Sequence, residues 1–170
     1  MLDHPSRAVF KARAHTSFGV ETVVVKFAYT YSREGHNLLA QSDPPLAPRL
    51  WFCEKVESIG MYVVVMDFVA SQDCGMSAAE RTSLRDAVEL LHTRDLVFGD
   101  LRDPNVLRCP GGGVFLIDFD WCGKVGEARY PSDINLNKDY GMPWHKDVRR
   151  RGLIEKEHDM HLLEALLKSD

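Results

Sequence analysis

Along the chain, apolar positions first concentrate over Ala8–Ala12 and again over Glu21–Phe27, each run broken near its end by a lysine. These β-branched and aromatic runs flank a His-Thr-Ser-Phe-Gly turn region, and the pattern predicts a β-hairpin. From Tyr31 to Gln41 the spacing becomes helical, with Tyr31, Leu38 and Leu39 apolar, Glu34 in the first turn and Ser32 placed to cap it. The run Ser42–Pro48 breaks this helix and leads to a predicted strand over Arg49–Glu54. Met61–Phe68 is the strongest strand signal, and the polar, turn-like Ala70–Gly75 follows it. A long helix is predicted over Ser77–Arg94, opened by a Ser77/Glu80 capping box and striped by Leu84, Val88 and Leu91 with Ala87 beside them. Residues 123–152 read as irregular, with four Gly and two Pro, and Glu157–Leu167 as an amphipathic closing helix. Strands, one helix, strands, then helices around a hairpin make an α+β pattern.

The hairpin is the chemically informative part. Val106–Arg108 and Val114–Ile117 read as short apolar strands, separated by the turn residues Cys109, Pro110, Gly111, Gly112 and Gly113. A hairpin returns the chain to its starting level, which places Asn105 near Asp118. A carboxylate and an amide oxygen meeting there suit a hard cation such as Mg²⁺. Asp100, just upstream, could accept a proton from an attacking hydroxyl. On this segment alone, a hairpin with surface acids is the competing reading.

FGDLRDPNVL followed by FLIDFD resembles the catalytic loop and metal-binding motif of the protein-kinase-like superfamily, usually written HRDLxxxxN and DFG. The resemblance puts Asp100 at the catalytic base, Asn105 and Asp118 at the metal ligands, and Arg102 where the family often has a phosphate-contacting Lys. TVVVKF resembles the family's VAIK strand, which implies that Lys26 holds the α- and β-phosphates of ATP with Glu34 as its carboxylate partner. From the residues alone, Lys26 could equally face water, and Glu34 could simply favour the helix N-terminus by its charge. MYVVVMDFVASQD resembles the strand entering the inter-lobe hinge. It implies Met66 behind the adenine pocket and the backbones of Asp67 and Val69 on the adenine edge. VFKA implies Val9 above the ring, and Asp159 matches a buried Asp that supports the catalytic loop. The implied architecture is a protein-kinase-like two-lobed fold in one domain: residues 1–69 as a small β lobe with one helix, 70–75 as hinge, 76–170 as an abbreviated helical lobe.

The chain also departs from that pattern. Phe98 and Gly99 stand where the family has His and Arg, so phospho-activation of the usual kind is not expected, and Asp120 replaces the Gly of DFG. No GxGxxG turn precedes Ala8, which implies either a truncated gene product or a simplified phosphate lid, and the resemblance implies that the docking helices expected after the helix carrying Asp159 are absent. The combination most resembles divergent, fungal-type protein-kinase-like domains. Gly before the catalytic Asp also resembles aminoglycoside- and choline-type phosphotransferases. The implied function is ATP- and Mg²⁺-dependent phosphoryl transfer to a hydroxyl, first of protein Ser/Thr. The alternatives are a pseudokinase-type nucleotide-binding or interaction domain, and a small-molecule kinase whose cationic acceptor would meet Asp103, Asp120 and Glu127.

Composition narrows the partners. In 170 residues, 45% are hydrophobic, 27% charged, and the net charge is −4. That balance gives no pull toward nucleic acid or membrane, Arg149–Arg151 being a local basic spot. Cys53, Cys74, Cys109 and Cys122 show neither zinc nor disulfide spacing, and the N-terminus has no signal-peptide pattern, so an intracellular, cytoplasmic setting is expected. A shortened C-terminal half would leave an apolar face for a partner or second copy to cover.

Overall fold

The computed structural model describes residues 8–17, 19–71, 75–110, 112–137 and 142–168. The fold is α+β. Its main sheet is antiparallel, in the order β1-β2-β4-β3, built from β1 (Ala8–Thr16), β2 (Gly19–Ala28), β3 (Leu50–Val56) and β4 (Met61–Asp67). The predicted hairpin is therefore present and longer than its apolar runs, since β1 and β2 pair from Ala8↔Phe27 to Thr16↔Gly19. β2 and β4 form the centre, with Lys26 opposite Val64.

Helix α1 (Arg33–Ala40) connects β2 to β3. Ser32 caps it by accepting the Gly35 N–H at 3.1 Å. Gly35 has a packing reason: a Cβ there would sit 2.5 Å from Cys122 Sγ, so the helix can approach that segment only without a side chain. Helix α2 (Ala78–Thr93) starts with the full capping box. Glu80 N–H donates to Ser77 Oγ at 3.3 Å, and Ser77 N–H donates to the Glu80 carboxylate at 2.7 Å. Leu84, Ala87, Val88 and Leu91 are fully buried along its inner stripe.

Strand β5 (Leu96–Val97) precedes a 3₁₀ turn over Asp103–Asn105, and β6 (Val106–Arg108) pairs with β7 (Val114–Leu116) as the second hairpin. Its turn is closed by Cys109 N–H to the Gly113 carbonyl, with Gly112 and Gly113 both at positive φ. Leu116 N–H donates to the Leu46 carbonyl at 2.9 Å, which ties this hairpin to the α1–β3 connection. Helix α3 (Lys156–Lys168) buries His158, Asp159, Leu162 and Leu163. One core joins Ala28, Cys53 and Val64 of the sheet to α2, the second hairpin and α3.

Two features differ from the sequence reading. The stretch 123–152 is not wholly irregular: β8 (Gly123–Lys124) pairs with β5, and Arg129 bridges to Leu153. It also carries a second core of Tyr130, Ile134, Val148 and Ile154 on Val97, edged by Trp121 and Trp144. Two-residue strands have no periodicity to read, which is why the pattern missed them. The segment MLDHPSR, Cys74 and part of the expected 70–75 hinge lie outside the described residues. Among the described residues, no helix is long and apolar enough to cross a membrane.

Ser77→Ala should lower stability by about 1 kcal/mol. Urea denaturation should register this as a lower midpoint at unchanged slope, because the cap closes α2 without altering what the chain buries.

Candidate functional site

The loop after β5 is shaped by one buried carboxylate. Asp159 on α3 accepts the N–H groups of Phe98 at 2.7 Å and Gly99 at 2.8 Å, and pairs with His92 Nε2 at 3.1 Å. Gly99 has φ +81°, and a Cβ there would meet Ile154 Cδ1 at 2.7 Å. This accounts physically for Gly where the resemblance expects Arg: a side chain would collide with Ile154 in a backbone conformation it disfavours.

Asp100 follows and is buried. Its Oδ2 accepts from Arg102 at 2.9 Å, and its carbonyl accepts from Asn105 Nδ2 at 2.8 Å. Asn105 closes the 3₁₀ turn, and its own carbonyl accepts the Ile117 N–H at 3.0 Å. The hairpin thus brings Asn105 to the residue before Asp118. With its nitrogen committed to Asp100, the amide has its oxygen to offer a cation. Among the described residues, no cluster of three or more His, Cys, Asp or Glu could hold a metal.

Lys26 reaches this site from the sheet. Its side chain is almost fully buried, and Nζ donates to Asp118 Oδ1 at 2.7 Å and Asp120 Oδ1 at 2.5 Å. Asp118 has φ +69°, a left-handed conformation that non-glycine residues seldom adopt. The segment is laced to the β2–α1 junction, because Thr30 Oγ1 donates to the Asp120 carbonyl at 2.8 Å and Ser32 N–H to the Phe119 carbonyl at 3.0 Å. Lys26 does not face water. Glu34, expected as its partner, stands exposed on α1, and Lys26 pairs with Asp118 and Asp120 instead.

The residues expected around a base divide. Val9 lies opposite Lys26 and Met66 opposite Val24, so all four share one sheet face, with Val9 58% exposed and Met66 buried. The Asp67 backbone is partly committed. Its N–H donates to the Arg49 carbonyl at 3.0 Å, and its carboxylate accepts from Trp51 Nε1 and Arg49, so this N–H is committed within the sheet. Val69 is half-buried just past β4. Of the acids considered for a cationic acceptor, Asp103 pairs with Arg108, Asp120 pairs with Lys26, and Glu127 is exposed.

Sequence reading missed His36. Its imidazole stacks on Phe119 at 4.7 Å, and Phe119 meets Phe98 edge-on at 5.4 Å, so one column joins α1, the Asp118–Asp120 segment and the Asp100 loop. Nδ1 accepts from the Tyr31 hydroxyl at 2.7 Å, and Nε2 donates to the Pro48 carbonyl at 2.8 Å. Burial first, and the Lys26 charge after it, lower its pKa from 6.5 to about 4 against the opposing pull of the Pro48 bond. The same burial raises the Tyr31 hydroxyl well above its usual range, so both partners are neutral. Burial also pushes the thiols of Cys53 and Cys122 up to about 11 and about 12, which leaves neither as a thiolate nucleophile at neutral pH.

No protein-family model matches the chain, and no curated protein is significantly similar to it.

Because His36 binds its proton less tightly when folded, its contribution to stability is complete above pH 6.5 and is lost as pH falls through that value toward 4. Each tenfold in proton affinity is worth about 1.4 kcal/mol, so the full loss is roughly 3 kcal/mol. Denaturation curves for wild type and His36→Gln across this range should converge on acidification, the variant lacking that part of the slope.

Proposed function

We propose that this chain is an ATP- and Mg²⁺-dependent phosphotransferase of the protein-kinase-like type, acting on a hydroxyl of protein Ser/Thr. The observation that carries the reading is the Lys26–Asp118 pair, 2.7 Å long between residues 92 positions apart, beside a loop that presents Asp100 and Asn105. A buried lysine on a strand beside a carboxylate and an amide is the set of charges that phosphoryl transfer needs, since catalysis there is mostly positioning and charge stabilisation.

In this reading Lys26 binds the α- and β-phosphates, while Val9 and Met66 supply the apolar faces for the base and Val69 its edge contact. The Asp67 carbonyl remains for the other edge contact, its N–H being used in the sheet. Asn105 and Asp118 would hold Mg²⁺, which when bound neutralises phosphate charge and orients the γ-phosphoryl group. Asp100 accepts the proton of the acceptor hydroxyl as its oxygen bonds to the γ-phosphorus and the bond to the β–γ bridging oxygen breaks. Arg102, fixed on Asp100 Oδ2, stands at the same locus as a counter-charge for the transferred group. A protein hydroxyl is favoured over a cationic small molecule because Asp103 and Asp120 are already paired with Arg108 and Lys26.

Asp100→Asn should reduce transfer from labelled ATP to a Ser/Thr peptide library by roughly 10²–10⁴-fold. The rise in Tm on adding Mg·ATP should persist in the variant, because binding to the native state does not require the base. Equal transfer by wild type and variant would sink the assignment. A Tm rise in wild type without any transfer would leave a nucleotide-binding module in its place.

A further inference from the structure

The lysine's second partner carries a consequence beyond the reaction itself. Lys26 is a buried cation, and a buried cation needs a carboxylate that stays with it. Asp118 cannot serve that role alone if it also ligates a cation. Asp120 lies two residues on, with its Oδ1 2.5 Å from Nζ and both side chains almost fully buried. Its backbone is held where the lysine needs it: Thr30, four residues after Lys26, donates to the Asp120 carbonyl. Helix α1 contributes no carboxylate, Glu34 being exposed.

We propose that Asp120 is the positioning residue for Lys26, which makes the phosphate-binding lysine independent of any acid on helix α1. The inference rests on the phosphotransferase reading for its functional meaning, though not for the ion pair. Among the described residues, the one ammonium and two carboxylates sum to a charge of −1. A divalent cation on Asp118 brings the cluster to +1, suited to polyphosphate, while Lys26 keeps its own counter-charge throughout. A glycine at position 120 would leave the lysine and the cation competing for Asp118. The metal-bearing segment thus carries both the cation ligand and the lysine's anchor, and the site is assembled without a switch that brings a helix carboxylate in or out.

The pair can be read without nucleotide. Acylation of Lys26 by an amine-reactive ester, followed by mass spectrometry on the full chain, should rise several-fold in Asp120→Asn and stay within about twofold of wild type in Glu34→Gln. With Mg·ATP, Asp120→Asn should raise KM about tenfold with a smaller fall in kcat, and Asp120→Glu should restore part of the loss. If Asp120→Asn does not fold, the milder Asp120→Glu carries the test: its longer side chain displaces the carboxylate and should still raise Lys26 labelling above that of Glu34→Gln. Lys26 labelling that responds to Glu34→Gln and not to Asp120→Asn would overturn the proposal. So would Lys26 labelling at the wild-type level in Asp120→Asn or, where that variant does not fold, in Asp120→Glu. A wild type that neither binds nor transfers phosphate would overturn the functional reading, while the labelling result would still decide the pair.

Discussion

The sharing of one ammonium between two carboxylates is the constraint on which the rest of the structure depends. Lys26 comes from the centre of a sheet, and Asp118 and Asp120 come from the chain leaving a hairpin, so their meeting fixes how those two parts stand. Taking three charges out of water is costly, and only close geometry with further hydrogen bonds offsets it. The structure supplies both: contacts of 2.5 and 2.7 Å, and backbone bonds from Thr30 and Ser32 that hold the acidic segment against β2 and α1. The left-handed backbone at Asp118 belongs to the same arrangement. A strained residue persists where its surroundings over-determine it, and here both of its neighbours in the acidic segment are held by contacts across the fold.

A second carboxylate does for the loop what Lys26 does for the acidic segment. Asp159 takes two consecutive backbone N–H groups and a histidine, so the turn into Asp100 is set by hydrogen bonds rather than by its own sequence preference. The His36–Phe119–Phe98 column joins the two devices. A neutral imidazole can lie flat on a phenyl ring in the core only because Tyr31 and the Pro48 carbonyl satisfy both of its nitrogens.

Local rules made much of the fold legible. Ser32 and the Ser77/Glu80 box mark two helix starts because a cap is a contact between residues three apart. Runs rich in β-branched and aromatic residues found the strands of the main sheet, and glycines marked the second hairpin. The failures share a cause. Glu34 is the acid nearest to Lys26 along the chain on a plausible helix, whereas Asp120 is 94 residues away and is brought there by topology alone. His36 reads as a polar helix residue until the stack beneath it is seen. The β5–β8 pair is too short for any period. The α+β class follows from pattern.

The separations within the site bear on how the molecule is made. Lys26 waits 92 and 94 residues for its two acids, and the loop carrying Asp100 is shaped by a carboxylate 60 residues beyond Gly99. Synthesis runs from the N-terminus, so a nascent chain that ends at β7 has made the sheet and its lysine but none of the groups that compensate that charge. One that ends at Asp120 has the ion pair's members but not the anchor for the loop. Contacts this distant in sequence are reached late, after the entropy of closing long loops has been overcome. The site therefore depends on α3 as well as on the sheet and the hairpin, because the loop carrying Asp100 is held only once Asp159 is in place.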